Sequence, residues 1–93
     1  MAIELKSYDV AERLDSDEEI RHYLDAAFED GDPAVIKNAL ANVARARGMS
    51  EIAKDAGITR AGLYRALSDD GNPTLETMLK LTKALGVRLA IAT

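Results

Sequence analysis

Between Ser50 and Ser68 the chain gathers side chains suited to bonding an anionic polymer, at intervals that a helix would align. Arg60, Ala61, Tyr64 and Arg65 alternate with Leu63, Ala66 and Leu67, so that the first set turns to one side of a helix and the second to the other. An arginine fork can donate to both acceptors on a guanine edge, and a tyrosine can meet a thymine methyl or a phosphate. The hydroxyls of Ser50, Thr59 and Ser68, the ammonium of Lys54, the guanidinium of Arg47 and the backbone N–H groups at helix starts suit phosphate oxygens. The chemistry expected here is nucleic-acid recognition, with Thr59 to Arg65 supplying the groove contacts.

Other chemistries find no comparable set of residues. The single histidine, His22, falls on the polar side of an expected helix, and cysteine is absent, so disulfides and thiolate metal sites are excluded. Asp69 and Asp70 are paired carboxylates, yet they sit beside Gly71 in a turn, where such residues serve conformation. No serine or threonine has a histidine and acid partner in prospect, and no glycine-rich loop could cradle a phosphate. No catalytic residue, metal site or cofactor is therefore expected.

Two short helices joined by a tight turn must position the polar set. Ser50 offers an N-cap hydroxyl, Glu51 puts negative charge in the first turn, and Ile52, Ala53 and Ala56 form an apolar face. Gly57 closes that helix through the left-handed conformation, and Thr59 caps the next. Ala53 is small where the two helices cross. Gly62 stands out inside the second helix, where glycine costs about 1 kcal/mol relative to alanine.

The net charge of −4 argues against an anionic ligand only until its distribution is read. Residues 1 to 33 carry three basic side chains against eleven acidic ones, residues 34 to 68 carry six against two, and residues 69 to 93 carry three of each. Exposed charges more than about 8 to 10 Å apart are largely screened at physiological salt, so the basic middle can act independently of the acidic start. The acidic stretch from Asp15 to Asp32 is either a solvated face or a docking surface for a basic protein.

Ninety-three residues allow one domain, divided into an acidic helical segment (1 to 32), a helical core (33 to 86) and a C-terminal strand (87 to 93). Asp9 can cap a short helix through Leu14. Ser16 and Glu19 fit a capping box for a helix from Asp17 to about Glu29, with Ile20, Tyr23, Leu24, Ala27 and Phe28 along one side. Gly31, Asp32 and Pro33 punctuate the start of a helix running to about Arg47, buried through Val35, Ile36, Ala39, Leu40, Val43 and Ala44 and stopped by Gly48. Asp69 to Pro73 form a turn. Thr74 or Pro73 then opens a last helix packed through Leu75, Met78, Leu79, Leu81, Thr82 and Leu85, and Gly86 closes it. Val87 to Ala92 alternate as a half-buried strand would, with no second strand in the chain to pair with. No apolar run approaches the ~20 residues needed to span a bilayer and no secretory signal is seen, which places the expected chain in the cytoplasm without membrane contact.

Met49 to Ser68 resemble the helix-turn-helix of Cro and other phage-repressor-type regulators, including the run Ala53, Lys54, Asp55, Gly57. Gly57-Ile58, Leu63 to Ser68, Gly71-Asn72-Pro73, Thr77-Met78 and Lys83 to Gly86, with Tyr8-Asp9 and the acidic lead-in, resemble the probable addiction-module antidote family, the HigA-like antitoxins that accompany RelE-type toxins. The resemblance implies an all-α, repressor-like helix-turn-helix domain of five or six helices with a short C-terminal β-strand. It also implies an antitoxin of a type II toxin-antitoxin module: a homodimer that binds double-stranded operator DNA to repress its own operon and neutralises a RelE/HigB-like toxin by direct binding. Asp17, Glu18 and Glu19 would face the toxin's basic surface, with Tyr23 as an apolar anchor. Gly62 departs from the larger or polar residue expected at that position. A stand-alone phage-type transcriptional repressor and a pure protein-interaction module remain as alternatives.

Overall fold

Side-chain caps and left-handed glycines set the helix ends, as the sequence punctuation predicts. A computed structural model describes residues 16–91 as five helices, α1 (Asp17–Asp30), α2 (Pro33–Arg47), α3 (Met49–Ala56), α4 (Arg60–Leu67) and α5 (Leu75–Ala84). Ser16 Oγ accepts from the Glu19 N–H at 3.1 Å and Asp32 Oδ1 from the Ala34 N–H at 2.9 Å, so α1 and α2 begin on side-chain caps. Thr74 caps α5 the same way, accepting from the Thr77 N–H at 3.1 Å. The turn from α3 to α4 depends on Gly57, whose φ of 74° lies where a side chain would be strained.

Helix α2 is the centre of the domain and packs against α1, α3 and α4, while α5 packs on α3. One core joins all five helices: Ile20 and Leu24 from α1, Leu40 and Val43 from α2, Ile52 and Ala53 from α3, Leu63 and Leu67 from α4, and Leu81 from α5 with Leu85 just beyond it. Leu40, Val43, Leu63 and Leu81 are fully enclosed. Ala53 is buried, and α3 packs on α4. Among the described residues no helix is long and apolar enough to cross a membrane.

Several expectations need correction. The C-terminal strand does not form among the described residues: the Val87 N–H donates to the Thr82 carbonyl at 3.0 Å, and Arg88 to Ile91 join no ladder. A strand needs a partner, and no described segment supplies one. Ser50 is not the cap of α3, because the helix begins one residue earlier at Met49 and takes Gly48 as its cap position. Val35, Leu75 and Leu79 are exposed rather than buried, at 41 %, 71 % and 49 %. The turn expected after α4 is present, with φ negative at both Gly71 and Asn72. A Cβ on Gly71 would run into the backbone carbonyls of Arg65 and Ala66, so glycine there provides space rather than an unusual dihedral. The helix expected from Asp9 to Leu14 lies outside the described residues.

Candidate functional site

Every residue of the predicted polar set on and beside α3 and α4 lies at the protein surface. Ser50, Lys54, Thr59, Arg60, Ala61, Tyr64, Arg65 and Ser68 are all exposed, while Leu63 and Leu67 on the opposite side of α4 are buried. Thr59 Oγ1 accepts from the Gly62 N–H at 2.9 Å, which fixes the first turn of α4. Ser50, released from capping, has another role: its hydroxyl accepts from Arg60 Nη1 at 3.3 Å and so ties the start of α3 to the start of α4.

Arg60 is held from two further directions. Its guanidinium lies over the Tyr64 ring, 5.5 Å from the centroid, and Nη2 donates to the Tyr64 hydroxyl at 3.4 Å. The four-residue spacing of Arg60 and Tyr64 was the sequence signal for this pair. Arg65 is free of carboxylate partners among the described residues and reaches back across Gly62, its Nη2 lying 4.0 Å from where a Cβ would stand. Gly62 thus leaves the middle of the α4 outer face flat between Thr59 and Arg65. Ser68 turns inward on its own helix, donating to the Arg65 carbonyl at 2.8 Å, and Lys54 projects from α3 without an ion pair among the described residues.

Residues that the sequence did not single out hold α4 in place. Lys37 Nζ of α2 donates to the carbonyls of Asp69 at 3.0 Å and Gly71 at 2.7 Å, clamping the turn that follows α4. The partners lie more than thirty positions from Lys37 in the chain, so no local pattern announces them. Asn42, buried in α2, donates to the Tyr23 hydroxyl at 2.8 Å and accepts from Arg45.

The acidic start of α1 borders α3 at its own carboxylates, Asp17 lining a groove with Arg47, Glu51 and Asp55. Asp17, Glu18 and Glu19 are exposed in its first turn, and Glu18 faces His22 at 3.7 Å, both side chains 74 % exposed. Asp17 pairs with Arg47 at the end of α2, which takes up the guanidinium expected to serve a phosphate. Tyr23 is half-buried against the core with its hydroxyl bonded to Asn42, and Leu24 is core.

This arrangement offers exposed cationic and hydroxyl groups on α3 and α4 and a carboxylate-rich start to α1. Residues 4–93 match the profile of a family described as "probable addiction module antidote protein". The chain belongs to that family. An antidote implies a toxin as its partner in the module. The antidote is also similar to an uncharacterized protein of Haemophilus influenzae, 50% identical over 91 residues that cover 98% of this chain and 94% of that protein. No solved structure matches the antidote.

Proposed function

We propose that the antidote binds double-stranded operator DNA through α3 and α4, represses its own operon, and neutralises a RelE/HigB-like toxin by direct contact. The observation that carries the DNA half is the exposed set of Arg60, Tyr64 and Arg65 on α4, flanked by the Ser50, Thr59 and Ser68 hydroxyls. Two eight-residue helices meeting at a Gly57 turn have the form of a helix-turn-helix, whose second helix enters the major groove. Arg65 supplies the base-edge contact. Arg60, restrained by Ser50 and Tyr64, meets the backbone phosphates, joined by Lys54 and the α4 start. Two copies would present two α4 helices about one helical turn of DNA apart, on a palindromic operator.

The toxin half follows from family membership and from the first turn of α1. Three consecutive carboxylates there suit a basic partner, whose association they would accelerate, while affinity would come from apolar contacts nearby. Replacing Arg60 and Arg65 with alanine and measuring operator binding across a salt series tests the DNA half. A base-contacting arginine contributes about 1 to 3 kcal/mol, and removing a cation that neutralises one phosphate lowers the salt slope by about 0.9. Unchanged affinity and slope in both variants overturn it.

A further inference from the structure

Helices α1 and α2 pack through their inner sides and leave a groove between them at the surface. Its volume is about 250 Å³, and Tyr23, Ala26 and Ala27 of α1 line it together with Val35 and Ala39 of α2. Ala27 and Ala39 are buried, Tyr23 is half-buried, and Val35 is 41 % exposed. Because three of these residues are alanines, the helices cannot fill the space with their own side chains, and apolar carbon is left facing solvent. The polar groups beside it are few. Asp30 and Asn38 complete the lining, and the Tyr23 hydroxyl accepts from the buried Asn42 at 2.8 Å while donating to no described residue. A concave, mostly apolar surface with a few converging polar groups has the make-up of a recognition site.

Charge around this groove has one sign. The last turn of α1 carries Glu29 and Asp30 with no basic residue, at the negative end of the helix dipole, and Asp32 follows. None of these three carboxylates joins an ion pair among the described residues. Glu19, Tyr23, Ala26 and Asp30 recur every three or four positions, so the groove lies along a flank of α1 that is acidic at both ends.

We propose that the groove receives an apolar side chain of the module's toxin, carried on a cationic segment whose lysines or arginines meet Asp30, Glu29 and Asp32. Charge selects this occupant. Nucleic acid would bring phosphates against the carboxylates, and a second copy docked face to face would set Asp30 against Asp30. A basic protein supplies the cations that the end of α1 lacks, and its apolar residue covers carbon that the single chain leaves wet. Lysine would suit the last turn of α1 better than Glu29 or Asp30 does, so the helix is less stable for keeping them.

The inference rests on the toxin-binding reading above and gives it an anchor site. Full-length antidote variants are titrated by calorimetry with the product of the neighbouring reading frame, at low and high salt. Ala26 is exposed, so Ala26→Arg blocks the groove and adds like charge to the toxin's without entering the core; affinity should fall about thirtyfold or more, as when a central anchor is excluded. Val35→Ala raises helix propensity and should still weaken binding about fivefold through lost apolar contact. Asp30→Asn should raise the urea midpoint and yet lower toxin affinity about threefold at low salt, opposite signs that a purely structural role would not give. Ala26→Arg or Val35→Ala binding as tightly as wild type overturns the proposal and leaves toxin binding itself intact. So does an Ala26→Arg variant that keeps its toxin affinity but changes its own oligomeric mass or loses DNA, since the groove would then serve a second copy or nucleic acid. Failure of the underlying reading looks different: unaltered antidote then shows no binding to that product, and the groove loses its occupant with it.

Discussion

The Arg60 guanidinium rests on the Tyr64 ring, 5.5 Å from its centroid, and reaches Ser50 on the neighbouring helix at 3.3 Å. One side chain thereby links the starts of α3 and α4 and is held before any ligand arrives. Restraint of this kind reduces the entropy lost when the guanidinium is fixed on a phosphate. Tyr64→Phe keeps the ring and should leave operator affinity within about twofold, whereas Tyr64→Ala releases Arg60 and should cost about 0.5 to 1 kcal/mol of binding, the range of an exposed cation–π contact. Titration of labelled operator with both variants checks this. Equal losses from the two would mean that the hydroxyl, rather than the ring, matters.

Thr59 and Gly62 are coupled by the cap of α4. Removing the cap with Thr59→Ala should destabilise the domain by about 1 kcal/mol in denaturant unfolding. Gly62→Ala adds helix propensity, also worth about 1 kcal/mol, but its Cβ would stand 2.9 Å from Thr59 Oγ1 and displace the capping hydroxyl. The gain should therefore be small in the wild-type background and close to full when Thr59 is already alanine. A double-mutant cycle with no interaction energy would refute the coupling.

Sequence made the helices legible because their signals are local. Ser16, Asp32, Thr59 and Thr74 sit directly before the helices they cap, and the apolar spacing of α1 to α4 identifies Leu24, Leu40, Val43, Ile52 and Leu63 as core. Ser50 misled because Gly48 and Met49 carry no cap hydroxyl, making the first hydroxyl downstream seem to be the start of α3. Periodicity identified Leu75 and Leu79 as apolar positions of α5 without saying how much of that helix the small core could enclose. Pairings such as Lys37 with the Gly71 carbonyl and Asp17 with Arg47 depend on how α2 meets its neighbours, which no local pattern encodes.

Lys37 and Gly71 together fix the exit of α4. Lys37→Met preserves the stem but leaves two carbonyls without their charged donor, and hydrogen bonds to charged groups contribute roughly 1.5 to 3 kcal/mol. Because this site is only partly buried, the lower end is expected. Gly71→Ala should cost more, about 2 kcal/mol or above, since the added Cβ meets the backbone carbonyls of Arg65 and Ala66 and neither can rotate away. Urea unfolding of the two variants measures both. A Gly71→Ala protein as stable as wild type would show that the turn relaxes freely.

Asp17 connects the acidic start of α1 to Arg47 at the end of α2, and this pair decides how partner-binding experiments on α1 are interpreted. The Asp17 side chain is 86 % exposed and that of Arg47 39 %, so the ion pair should contribute under about 1 kcal/mol to folding and weaken with salt. Asp17→Asn should accordingly shift the unfolding midpoint little. The triple reversal Asp17→Lys, Glu18→Lys and Glu19→Lys opposes the positive end of the α1 dipole and places a lysine beside Arg47, so a cost of about 1 to 2 kcal/mol is expected from those two sources. If α1 receives a basic toxin, the same variant should slow toxin association by at least tenfold at low salt while dissociation changes less, the pattern expected when electrostatic steering is removed. Stopped-flow association with the co-expressed toxin separates the two effects, because a protein that is merely less stable would lose active fraction without changing the rate constant of the remainder. An association rate equal to that of wild type would leave the carboxylates of α1 as a solvated face.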